Sequence, residues 1–241
     1  MIVPTHAMVL AAGLGTRMRP LTDDRPKPLL ELDGRSLLHH AMDRLRDASI
    51  NDVVVNAHWH ADMIEDAVLA HDPPATVLRE DVLLETGGGV TAALPRLGRQ
   101  PFVVVNGDAF WLDGPTQALR RLAAAFDPAR MDALLLLVRT SQVDGETGRG
   151  DFLLDPLGRA RRPREREIAP YLFGGVQILS PSLFAEAPEG PFSLNILYDR
   201  AIEAERLYGL VHDGAWFHLS TPRDLDRAET MLRAGMLTAL F

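Results

Sequence analysis

Between residues 10 and 29 the chain reads LAAGLGTRMRPLTDDRPKPL, and this run brings two glycines, a hydroxyl, a guanidinium and an ammonium together. Gly13 and Gly15 let the backbone turn tightly and approach a polyphosphate where a side chain would obstruct. Thr16 adds a hydroxyl, and Arg17 adds a planar fork of donors that spans two phosphate oxygens. Lys27, between Pro26 and Pro28, is a compact charge on a conformationally restricted stretch, suited to the phosphate under attack. Taken singly, a glycine pair after a strand is a common turn and a loop cation faces solvent; the combination is what points to phosphate chemistry. Neither familiar phosphate loop fits, because no P-loop run occurs and a dinucleotide fingerprint would want glycine where Met18 stands.

Three further segments carry candidate groups. Asp108 closes PFVVVNGD, and its carboxylate is a hard oxygen ligand suited to Mg2+, or else a cap on the following loop. ETGGGV, from Glu85 to Val90, puts three glycines at an expected helix start, where free N–H groups and the helix dipole suit a nucleotide and Gly88 would lie against a flat base; a simple glycine turn is the other reading. GRGDF (148–152) and FGG (173–175) read, on their residues alone, as ordinary turns.

These groups must be positioned by elements of an α/β fold. The apolar run Ala7 to Ala12 predicts a buried strand that meets Gly13. Helical spacing follows at Leu37, Leu38, Ala41, Leu45 and Ala48, with Ser36 as N-cap. DVVVNA (52–57) is a second strand, residues 60–70 a second helix, 76–79 a short strand, and a helix after the glycines leads into PFVVVNGD. A helix near 115–126, strands at 133–138 and 171–179, and helices at 194–206 and 222–232 complete the pattern, with turns and short strands between. Such alternation predicts a Rossmann-like, mostly parallel central sheet with helices on both faces and ligands at the carboxyl ends of the strands, where Gly13 and Asp108 fall.

Composition bounds the rest. The 241 residues contain no cysteine, which excludes disulfide frameworks and cysteine metal sites, and the net charge of -8 offers no global attraction for nucleic acid or an anionic membrane. No apolar run reaches membrane-span length, so a soluble cytoplasmic protein without nucleic-acid or membrane partners is expected. One domain over 1–241 is expected, with a nucleotide-binding core to about residue 140 and a sugar-binding and C-terminal part beyond it.

At the glycine–arginine–lysine segment the chain resembles the sugar-1-phosphate nucleotidyltransferases, and the similarity continues through VNGD, TGRGDF, FGGVQILSPSLF and WFHLSTP. Within that family it looks most like the bacterial N-acetylmuramate 1-phosphate uridylyltransferases of cell-wall recycling, with guanylyltransferases for mannose 1-phosphate also similar. The resemblance implies a GT-A-like fold with a smaller sugar-binding β region, Mg2+ as cofactor, and an NTP (UTP by this likeness) and a sugar 1-phosphate as partners. It implies catalytic roles for Arg17 and Lys27. A nucleotide is expected against Leu10, Ala11, Ala12, Gly13, Gly15, Thr16, Glu80 and Gly88, with Glu80 at the base edge. The sugar is expected against Asn106, Gly150, Asp151 and Gly175, and the metal at Asp108. At the second metal position, where relatives commonly carry aspartate, this chain has His218, a poorer partner for Mg2+. That departure keeps a second reading open, a weak or silent nucleotide- or sugar-phosphate-binding regulator. A dinucleotide-dependent oxidoreductase shares only the alternation and the glycine loop.

Overall fold

The structure, a computed structural model, describes residues 4–143 and 148–235. β1 (His6–Leu10) is followed by the glycine loop and a two-residue hairpin, β2 (Glu31–Leu32) and β3 (Arg35–Ser36), that leads into α1 (Leu37–Asp47). β4 (Asp52–Ala57), α2 (Ala61–Leu69), β5 (Thr76–Arg79), α3 (Glu85–Leu97) and β6 (Phe102–Asn106) continue the alternation. Next come β7 (Phe110–Leu112), α4 (Ala118–Ala125), β8 (Ala133–Arg139), the small pair β9 (Leu153–Leu154) and β10 (Ala160–Arg161), and β11 (Tyr171–Leu179). α5 (Asn195–Glu203), β12 (Leu207–Val211), β13 (Ala215–Phe217) and α6 (Pro222–Arg233) follow.

Seven strands form one sheet in the order β12-β8-β11-β6-β1-β4-β5. All are parallel except β11, which runs antiparallel between β6 and β8. The mostly parallel α/β sheet expected from the alternation is therefore the one observed. β6 shows why its sequence is apolar throughout. Val103 and Val105 face one core with α1, α2 and α4, while Phe102 and Val104 face the other with α3 and α5. A strand buried on both faces has no polar side to alternate with. Each such valine contributes about 1.5–3 kcal/mol of burial, so a charge at Val104 would open that core.

α1 begins where Ser36 Oγ accepts from the His39 N–H at 3.2 Å, and its stripe of Leu38, Ala41, Met42 and Leu45 packs on the sheet. A third, smaller core joins Met18 of the glycine loop to Leu30, Leu32, Phe110, Phe217, Leu219 and Ala228. It clamps the far side of that loop against the β7–β13 pair and α6. Thr221 and Asp224 form a reciprocal cap at the start of α6, and the Asp224 carboxylate also accepts from the Ser220 N–H at 3.0 Å. Among the described residues no helix is long and apolar enough to cross a membrane.

Candidate nucleotide-binding cleft

The cleft opens at the carboxyl edge of β1, β4 and β6. In register, Leu10 at the end of β1 lies between Asn56 of β4 on one side and Asn106 of β6 on the other. Two strands that each read VVVN therefore present an amide at the same level. Above them lies a cavity of about 530 Å3, walled by the glycine loop with Lys27 and Pro28, by Leu83, Glu85 and Thr86 at the start of α3, and by Asp108, Ser193 and Ser220.

The glycine loop has its shape for identifiable reasons. Gly15 sits at φ +62°, and a Cβ there would lie 2.9 Å from the Lys27 Cβ, so the loop folds directly onto the lysine. The Thr22 hydroxyl donates to the Gly15 carbonyl at 2.9 Å and holds that fold. Met18 is buried in the third core, which explains a large apolar residue where a dinucleotide loop has glycine. With Met18 anchored inward, Thr16 and Arg17 point out, both exposed, and Arg17 makes no ion pair among the described residues. A Cβ built on Gly13 would meet nothing within 4 Å, so that side of its backbone is open. Leu10, Ala12, Gly13, Gly15, Thr16, Arg17, Lys27, Asn106 and Asp108 all line the cleft as expected. Ala11 does not; its N–H is given to Asn56 Oδ1 at 2.7 Å.

Lys27 and Asp108 meet at the cleft floor, Nζ to Oδ2 at 2.5 Å. Asp108 arrives there because Gly107 passes close under β1, its N–H donating to the Leu10 carbonyl at 2.8 Å. The partly exposed Asp108 carboxylate suits Mg2+, which keeps waters and takes phosphate oxygens as further ligands. His218, which the resemblance places at the second metal position, is not among the residues that line this cleft. His218 lines a separate cavity of about 340 Å3 with Val138, Gln142 and Arg227, its ring 5.8 Å from that of Trp216. Among the described residues no group of three or more His, Asp or Glu side chains is arranged to hold a metal.

Several expectations need correcting. The glycines of ETGGGV are inside α3, not exposed ahead of it, and the Gly87 and Gly88 N–H groups donate to the Phe192 carbonyl at 2.8 and 3.2 Å. A Cβ on Gly88 would lie 2.5 Å from the Gly190 carbonyl, so backbone packing, not a base, explains that glycine. Glu80 is buried behind the cleft, its carboxylate engaged by Asn56 and the Leu84 N–H, and does not itself line the cavity. Gly150, at φ +70°, has the Ala169 carbonyl 2.1 Å from where a Cβ would stand, so packing inside the protein accounts for this glycine. Asp151 accepts from the Phe173 N–H at 2.8 Å and so ties its loop to β11. A Cβ on Gly175, at φ +78°, would lie 3.2 Å from the Asn106 amide nitrogen, again a close approach inside the protein. Thr147 of TGRGDF lies outside the described residues.

Glu85 and Thr86 bring the start of the ETGGGV stretch to the cleft, which also contains residues not anticipated from the sequence: Asn56, Leu83, Ser193 and Ser220. For Asn56 a signal existed, a polar residue closing an apolar parallel strand just as Asn106 does. Glu85 holds φ +59°, an unfavourable conformation for any residue but glycine, at the edge of the cleft.

With this geometry in view, a family model described as the MobA-like NTP transferase domain matches residues 7–170. An N-acetylmuramate alpha-1-phosphate uridylyltransferase of Caulobacter vibrioides is 43% identical over 235 residues, covering 95% of this chain and 97% of that protein. A protein of the same description from Neisseria meningitidis is 35% identical over 239 residues, covering 95% and 98%. Among solved structures, the inositol-1-phosphate CTP transferase from T. maritima superposes with a TM-score of 0.77 at 20% identity, covering 96% of both chains, a likeness of fold.

Proposed function

We infer the reaction from one premise: the chain belongs to the MobA-like NTP transferase family and is a sugar-1-phosphate nucleotidyltransferase. Its reaction transfers UMP from UTP to N-acetylmuramate 1-phosphate, and the two relatives described as uridylyltransferases for that sugar support this choice of substrates. A phosphate oxygen of the sugar phosphate attacks the α-phosphorus in line. The new P–O bond forms as the α–β bridge breaks, and pyrophosphate leaves with the electron pair. The nucleophile is already anionic, so no general base is needed; the barrier comes from repulsion between polyanions and charge growing on the leaving group.

The observation that carries this reading is the convergence of Arg17, Lys27 and Asp108 on one cleft beside an open glycine backbone. Arg17, exposed and without an ion-pair partner among the described residues, takes the leaving pyrophosphate. Lys27 neutralises charge at the reacting phosphates. Asp108 is the carboxylate that would hold Mg2+, whose charge, when bound, draws the phosphates together and offsets their repulsion. Asn106, on the other flank of Leu10, offers its amide to the acceptor sugar.

Pyrophosphate release with Mg2+, across four NTPs and the 1-phosphates of N-acetylmuramate, mannose and glucose, tests the reading. Turnover fastest with UTP and N-acetylmuramate 1-phosphate is expected. Nucleotide binding without release for any pair would replace it with the silent binding protein.

A further inference from the structure

Glu80, just beyond β5, is 7% exposed, and its carboxylate is fully engaged. Oε1 accepts from Asn56 Nδ2 at 2.7 Å, and Oε2 accepts from the Leu84 N–H at 3.0 Å. Asn56 Oδ1 in turn accepts from the Ala11 N–H at 2.7 Å. The orientation of the Asn56 amide is forced, since a backbone N–H only donates and a carboxylate accepts. One unbroken chain of three hydrogen bonds therefore runs from Ala11, at the root of the glycine loop, to Leu84, directly ahead of Glu85.

The surroundings are built around this bridge. A Cβ on Gly89 would stand 2.9 Å from both Asn56 Nδ2 and Glu80 Oε1, so the last of the three glycines of α3 makes space for the pair. The Glu80 backbone is held as well, its N–H donating to the Ala57 carbonyl and its carbonyl meeting His58 Nδ1, each at 2.8 Å. The two cleft walls that the bridge joins come from different segments, residues 12–18 after β1 and residues 83–86 at the start of α3. Glu85 also carries an αL backbone, which persists only where its neighbours fix it.

We propose that Glu80 is a positioning residue for nucleotide binding: through Asn56 and Leu84 it sets the spacing between the loop that takes the phosphates and the wall that meets the nucleoside, without touching substrate. This rests on the cleft being the NTP site. Preorganised walls bind without a reordering cost at the moment of binding, so loosening them weakens the nucleotide and spares the acceptor.

The test is UTP affinity by calorimetry with Mg2+, together with steady-state kinetics on the full chain. Glu80→Gln leaves one acceptor oxygen for two donors, and the Kd and KM for UTP are expected to rise roughly tenfold, with the acceptor KM within about twofold. The double variant Asn56→Asp with Glu80→Gln restores the match. The new carboxylate accepts from Ala11 and from the new amide, whose oxygen accepts from Leu84. UTP affinity should return to within about threefold of the parent. An unchanged UTP affinity in Glu80→Gln, or an equal rise for both substrates that the double variant does not relieve, would overturn the proposal. If Glu80→Gln does not fold, Gly89→Ala serves, because alanine favours the helix and crowds only the bridge. A several-fold rise in the UTP Kd is expected, and none would sink the idea. A parent protein that binds UTP but releases no pyrophosphate would unseat nucleotidyl transfer and leave this measurement intact.

Discussion

Lys27 and Asp108, 81 residues apart in the chain, form a 2.5 Å ion pair at the cleft floor, with 12% of the lysine side chain and 36% of the aspartate side chain exposed. The cation and the metal-suited anion of the proposed mechanism thus pair with each other. Lys27→Ala and Asp108→Ala are each expected to lower kcat roughly 100- to 1000-fold while the proteins fold normally. Unimpaired turnover in either would remove that residue from the mechanism. Lys27→Met, which frees the Asp108 carboxylate, should also bind Mn2+ several-fold more tightly without nucleotide, as water-proton relaxation would register.

The two loop glycines should separate cleanly. Gly15→Ala forces an αL alanine against Lys27 and is expected to cost about 1–2 kcal/mol or more, seen as a lowered midpoint in urea. Gly13→Ala meets nothing within 4 Å and should leave that midpoint unchanged while raising the UTP KM. Equal stability loss in both would show that the loop is shaped otherwise.

His218 lies on a different cavity wall from Asp108. For His218→Ala, the Mg2+ concentration at half-maximal rate is therefore expected to stay within about twofold of the parent, whereas Asp108→Ala shifts it strongly. A tenfold rise in the histidine variant would restore it as a metal ligand.

Stability should depend on pH through two histidines. Burial holds the imidazoles of His212 and His40 below the usual value, and His212 Nδ1 has no hydrogen-bond partner. Below about pH 6.5 the unfolded chain takes up these protons before the folded one does. Stability is therefore complete above that pH and falls as pH drops through it. The thermal midpoint should be lower at pH 5.5 than at pH 7.5, and His212→Gln should narrow the gap; no difference in the parent would contradict the account.

Much of the fold was legible because period and burial agree along the chain. DVVVNA and YLFGGVQIL were readable as strands to the residue, and Ser36 as a cap, since local chemistry decides them. The antiparallel course of β11, and the entry of LYGLV (207–211) as β12, were not readable, because an apolar run carries no record of its direction or its neighbours.

At the site, residue type and spacing pointed to the glycine loop, with its arginine and proline-flanked lysine, and to the aspartate closing an apolar strand at the sheet's carboxyl edge, and these residues line one cleft. What only the tertiary structure decided was which polar groups face the ligand and which face each other. Glu80 and Glu85 look alike in sequence, yet one is buried against Asn56 and the other lines the cleft. Gly88 and Gly150 serve close backbone packing, while Gly13 stands open. Orientation comes from contacts made across the sheet, between residues whose separation in the chain says nothing about which face they share.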